Sequence, residues 1–72
     1  MYLVQFEITY GIHPIYFSAK NNKEAIAMVS RGFHRWTGYR TGRLYKWGRI
    51  GRRDKLIAII RRKSDMRIEI IT

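Results

Sequence analysis

The chain contains no cysteine, which removes disulfide bonds, thiolate metal sites and a cysteine nucleophile together. Nor does any stretch approach the roughly 18 consecutive apolar residues that suggest a membrane span. The first residues, Met-Tyr-Leu-Val-Gln-Phe-Glu, alternate without a basic stretch or a long apolar run, so no signal peptide is expected. A chain free of cysteine fits a reducing compartment, and a cytoplasmic protein without membrane association is the expectation. Histidine occurs only as His13 and His34, neither with a carboxylate nearby in sequence. Paired carboxylates, metal-ligand spacing and a phosphate-binding loop are all missing from the sequence. Catalysis is therefore not expected, nor are a metal or a cofactor.

Acidic residues are the other scarcity: five Asp and Glu stand against fifteen Lys and Arg, for a net charge of +10 in 72 residues. Residues 1–30 hold two of each sign, Lys20 and Lys23 with Glu7 and Glu24. The remaining thirteen basic residues fall in residues 31–72 with only Asp54, Asp65 and Glu69, so the whole excess belongs to that half. Self-repulsion of this kind opposes folding, and a cationic surface for a polyanionic partner is the functional reason it suggests. With 46% hydrophobic and 14% aromatic residues, the chain has apolar surface to bury, and its length predicts one small domain over residues 1–72.

Tyr2, Val4, Phe6, Ile8 and Tyr10 alternate with Leu3, Gln5, Glu7 and Thr9, the period of a half-buried strand. Gly11-Ile12-His13-Pro14 reads as a turn, and Ile15, Phe17 and Ala19 share one side of a second strand, giving a hairpin of 2–10 and 15–19. Asn21 and Glu24 stand in capping-box register, predicting a helix from Glu24 to about Arg35 that buries Ala25, Ile26, Val29 and Phe33. Four glycines between 38 and 51 argue against a helix there, while residues 43–50 suit a strand. Leu56 to Arg62 is apolar on both faces and predicts a central strand. After a Ser64-Asp65 turn, Met66, Ile68 and Ile70 alternate with Arg67 and Glu69 in a last strand. The expected fold is α+β, ordered β-β-α-β-β-β, a mainly antiparallel sheet with one helix packed on one face.

Between Arg31 and Arg53 eight basic residues interleave with Phe33, Trp36, Tyr39, Tyr45 and Trp47 and with five of the six glycines, without one acidic residue. Guanidinium groups pair bidentately with phosphate, aromatic faces stack on unpaired bases, and glycine lets backbone N–H groups approach a phosphate. The candidate phosphate contacts are Arg40, Arg43, Lys46, Arg49, Arg52 and Arg53, with Arg61, Arg62 and Lys63 at the following turn. Trp36, Tyr45 and Trp47 fit stacking positions and equally fit a core, since so small a domain needs large buried side chains. On a strand over 43–50, alternation sets Arg43, Tyr45, Trp47 and Arg49 on the open side and Leu44, Lys46, Gly48 and Ile50 on the helix side. The Arg61-Arg62-Lys63 cluster suits phosphate binding and, equally, protection of a sheet edge. Arg31-Gly32-Phe33 opens like the RNA-recognition-motif signature, but His34-Arg35-Trp36 breaks it.

An Ala-x-x-x-x-Glu-Ala helix opening from Ala19 to Ala25, a Phe33-His34 pair and three closing strands resemble small phage or mobile-element accessory proteins, among them anti-CRISPR proteins of the type I-F inhibitor kind. That resemblance implies a protein docking on a nucleic-acid-handling complex. From the residues themselves, the expectation is a non-enzymatic nucleic-acid-binding domain of low sequence specificity, for DNA or RNA. The alternative is an inhibitor or adaptor whose arginines meet an acidic patch of such a complex. A membrane-surface peptide is disfavoured by the strand-like apolar pattern. Free sheet edges would also let the domain pair with a second copy as a homodimer.

Overall fold

Strand periodicity in the first residues is realised as β1 (Tyr2–Ile8), which pairs antiparallel with β2 (Gly11–Phe17) from Ile8↔Gly11 to Tyr2↔Phe17. The computed structural model describes residues 1–35, 38–47, 53–65 and 67–72, with the side chains of residues 47, 53 and 54 outside that description. The expected turn at residues 11–14 lies instead at Thr9-Tyr10, and residues 11–14 belong to β2. Gly11 has φ of +145°, a conformation that side chains disfavour, so glycine lets the chain reverse within two residues. Pro14 lies opposite Gln5 on β2, an edge strand, where a missing N–H leaves no partner unsatisfied on the outer side.

The helix α1 (Asn22–Arg35) begins where the cap predicts. The Glu24 N–H donates to Asn21 Oδ1 at 2.8 Å, and the Ala25 N–H donates to the Asn21 carbonyl at 3.0 Å. A cap of this kind satisfies an N–H that the first turn otherwise leaves open and contributes about 1 kcal/mol. Tyr2 adds a tertiary bond, its hydroxyl donating to Asn22 Oδ1 at 2.8 Å. Ala25, Val29 and Phe33 recur every four residues and are the helix's buried stripe, with Ile26 partly buried beside them.

Three strands follow: β3 (Thr41–Trp47), β4 (Arg53–Arg62) and β5 (Ile68–Ile71). The sheet order is β2-β1-β3-β4-β5 with every pairing antiparallel, so β3 is central and β4 is one place from the edge. β4 begins three residues before the expected Leu56, and the register slips between Leu44 and Tyr45 and again between Lys46 and Trp47. Ile57 is the extra residue at the first slip and packs with Ala58 on the core, as a bulge permits.

Register assigns the faces. Tyr2, Val4, Phe6, Leu44, Ala58 and Ile60 meet the helix stripe and form the core. Phe33 is fully buried, set edge-on to Phe6 at 5.5 Å between ring centres and against Gly42. Tyr39 stacks on Phe6 at 4.1 Å and meets Phe33 edge-on at 6.2 Å. A Cβ on Gly42 would lie 3.0 Å from Phe33 and 3.3 Å from Phe6, so these buried rings would have to give by a few tenths of an ångström. Gly42→Ala should therefore lower unfolding stability by about 1–3 kcal/mol, read as a lower midpoint in urea denaturation at unchanged slope.

Candidate nucleic-acid interface

Because Gly42 and Leu44 point to the helix, Arg43 and Tyr45 point to the other face of the sheet, as strand alternation predicts. Across that open face Tyr45 lies opposite Leu3 and Leu56, and Arg43 opposite Gln5 and Ile59. Arg43 is exposed and Tyr45 half-buried. Tyr16 belongs to the same row: it pairs with Leu3 from the β2 side and is 54% exposed. Leu3, though it points away from the helix, is 2% exposed and lies between the two tyrosines. One row along β4, Arg61 stands diagonal to Arg43, opposite Thr41 and Glu69.

Lys46 is exposed at the far end of β3 on the helix side, opposite Tyr2 and Lys55. Arg40, also exposed, precedes β3; its N–H donates to the Glu7 carbonyl at 3.2 Å and its carbonyl accepts from the Arg62 N–H at 2.9 Å. A three-residue spacing on a strand alternates faces, so Arg43 and Lys46 flank β3 on opposite sides. Among the described residues no ion pair engages Arg40, Arg43 or Lys46. Trp36, Arg49 and Arg52 lie outside the described residues, as do the side chains of Trp47 and Arg53.

The cluster at 61–63 divides. Arg62 is half-buried and turned inward. Its Nη2 donates to the Phe33 carbonyl, its Nε donates to the Tyr39 carbonyl at 3.3 Å, and its guanidinium lies 5.8 Å from the centre of the Phe33 ring. A cation on a carbonyl of the last helical turn satisfies a group the helix leaves open and complements the helix dipole. Arg62 thus secures the helix end and the segment leading into β3, a role distinct from the surface contact expected for it. Arg61 and Lys63 both reach Glu69, at 2.5 and 3.5 Å. Asp65 is similarly occupied, accepting the Arg67 N–H at 3.1 Å and pairing with its Nε at 3.4 Å.

Two site features escaped sequence reasoning. Tyr16 was legible as the residue between Ile15 and Phe17, hence on the opposite face. The inward turn of Arg62 had no signal, since it depends on where the helix ends. Tyr39 belongs to the core margin, stacked on Phe6, and its hydroxyl lies 3.5 Å from His13 Nδ1. Among the described residues no cluster of three or more His, Asp or Glu is placed to hold a metal ion. No helix there is long and apolar enough to cross a membrane. Comparison with known proteins finds no matching family model, no matching curated protein and no matching solved structure.

The two arginines make opposite predictions. Arg62→Ala should cost about 1.5–3 kcal/mol of stability, the range for a hydrogen bond from a charged donor. Arg43→Ala should stay within about 0.5 kcal/mol of the parent; equilibrium denaturation of both measures the contrast. Glu69 supplies a pH test. The Arg61 hydrogen bond, then the charges of Arg61 and Lys63, hold its carboxyl below the ordinary 4.5 despite opposing burial. A lowered folded-state pKa stabilises above the unfolded value, and that contribution disappears as pH falls through the folded one. The β4–β5 pairing should therefore loosen in acid below about pH 4.5, seen as faster amide exchange at Arg61 and Ile71, whose N–H groups face across that pair, and Glu69→Gln should lose this dependence.

Proposed function

We propose that the chain is a cytoplasmic, non-enzymatic nucleic-acid-binding domain of low sequence specificity. The observation that carries the proposal is where the acids go. Of the three acidic residues in the basic half, Asp65 and Glu69 are bound to Arg67, Arg61 and Lys63 at one corner. Arg40, just before the central strand, and Arg43 and Lys46 on its two faces have no such partner among the described residues. Uncompensated guanidinium and ammonium groups near the half-buried Tyr45 and the exposed Tyr16 suit phosphate and base respectively. Arg49, Arg52 and Arg53, adjoining in sequence, extend the same contact, and Arg61 and Lys63 border it through their exposed parts. Tyr45, with Trp36 and Trp47, supplies the stacking surfaces. Contacts of this kind position a backbone without reading base edges.

A second reading is an inhibitor or adaptor that docks on a nucleic-acid-handling protein complex. It draws on Ile12, Tyr16 and Leu56, which are 59%, 54% and 45% exposed and share the open face with Arg43. Aromatic and arginine side chains are enriched at protein interface centres. Pull-down from a lysate with and without nuclease separates the readings, since a protein partner survives nuclease.

If about five phosphates are contacted, log K should fall with log salt at a slope of about −3.5 for single strands or −4.5 for duplex DNA. Arg43→Ala should reduce that slope by about 1. Fluorescence titration of the tryptophans with single- and double-stranded oligomers over a salt series measures both. An affinity indifferent to salt would sink the proposal.

A further inference from the structure

α1 makes its main contacts with β3 and β4 and leaves the β1–β2 side of the same sheet face partly uncovered. An apolar groove results, walled by Val4, Ile15 and Phe17 of the hairpin and by Met28, Val29 and Gly32 of the helix. Phe6 and Tyr39, stacked at 4.1 Å, complete its lining, and Phe17 is backed by Tyr2 at 5.7 Å. At about 200 Å³ it is smaller than the roughly 300–1,000 Å³ of small-molecule pockets, and better matched to a few side chains.

We propose that a second copy of this chain covers the groove, forming a two-fold dimer with the helices antiparallel about Met28. Charge argues for this occupant. Glu24, Met28, Arg31 and Arg35 lie along one side of α1, at helical spacings of four, three and four. That stripe is acidic at its N-terminal end and basic at its C-terminal end. Among the described residues none of its charges has an ion-pair partner. Turned antiparallel on itself, such a stripe is self-complementary, as a two-fold interface requires: Glu24 of each copy faces the Arg31 region of the other. Met28 and Gly32 between them offer an adaptable side chain and a flat surface for close approach.

The groove also lies mainly on the half of the chain where charges cancel, so two copies meet there with less repulsion than at β3. The sheet edges are poorer routes: Pro14 interrupts β2 and β5 has four residues. The dimer turns both open sheet faces outward, and it does not depend on what those faces bind.

Sedimentation equilibrium of the nuclease-treated protein at ~0.5 M salt, which shortens the Debye length below about 8 Å, tests the proposal. The expected result is a reversible rise from the 8.7 kDa chain mass to twice that value, with Kd tighter than about 1 mM. Met28→Lys should abolish it. Arg31→Glu, at an exposed position that leaves the fold intact, should weaken it about tenfold although it lowers net charge, and adding Glu24→Arg should restore it. A chain monomeric throughout overturns the proposal, and an apolar dye fluorescing in its groove would then assign the groove to a small apolar ligand. A dimer indifferent to both Met28→Lys and Arg31→Glu overturns it as well.

Discussion

Phe33, near the end of the helix, rests its ring against Gly42 of the central strand, and the helix reaches the sheet at this point because that position has no side chain. Phe6 meets the ring edge-on at 5.5 Å, Tyr39 meets it at 6.2 Å, and Arg62 approaches it at 5.8 Å. One glycine on β3 therefore fixes the height of the helix end, and the helix end fixes where Arg62 finds its carbonyls. From there the chain passes through Tyr39 and Arg40 into the strand that carries Arg43, Tyr45 and Lys46. In a domain of this size few contacts are redundant, so the site inherits its placement from this one packing arrangement.

A strongly cationic domain must manage its own repulsion. Here the β4–β5 corner holds two of the five acids, with Glu69 shared by Arg61 and Lys63 and Asp65 folded back on Arg67. Pairs this exposed are worth little singly. Their consequence is one of distribution: residues 61–69 carry four basic and two acidic residues, all three ion pairs among the described residues lie there, and Arg43 and Lys46 on the central strand have none. Arg62 takes a third course, spending its charge on helix and loop carbonyls, which leaves it little capacity for a ligand.

The two sides of the sheet differ in kind. One carries the helix and, beyond it, an apolar groove on the electrically balanced half of the chain. The other has no helix packed on it among the described residues, and joins Tyr16, Leu3 and Tyr45 in one row with Arg43 and Arg61 in the next rows. Period-two alternation along β1 and β3 produces both sides at once, since each strand gives buried residues to one face and Leu3, Arg43 or Tyr45 to the other.

Much of this was legible without coordinates. Element order, the Asn21 cap, the buried helix stripe and the facing of Arg43 and Tyr45 all follow from local rules, in which periodicity and capping act over a few residues. The hairpin turn was misplaced because Pro14 reads as a turn residue, whereas an edge strand accommodates it and Gly11 makes the reversal. The charge division between residues 1–30 and 31–72 is likewise a property of sequence. What sequence could not determine is which cations are already engaged. Arg61, Arg62 and Lys63 are adjacent and chemically alike, yet Arg62 turns onto the helix end while its neighbours flank Glu69. That choice rests on the distance between a strand and a helix terminus far apart in the chain, a quantity that exists only once the sheet and helix have packed.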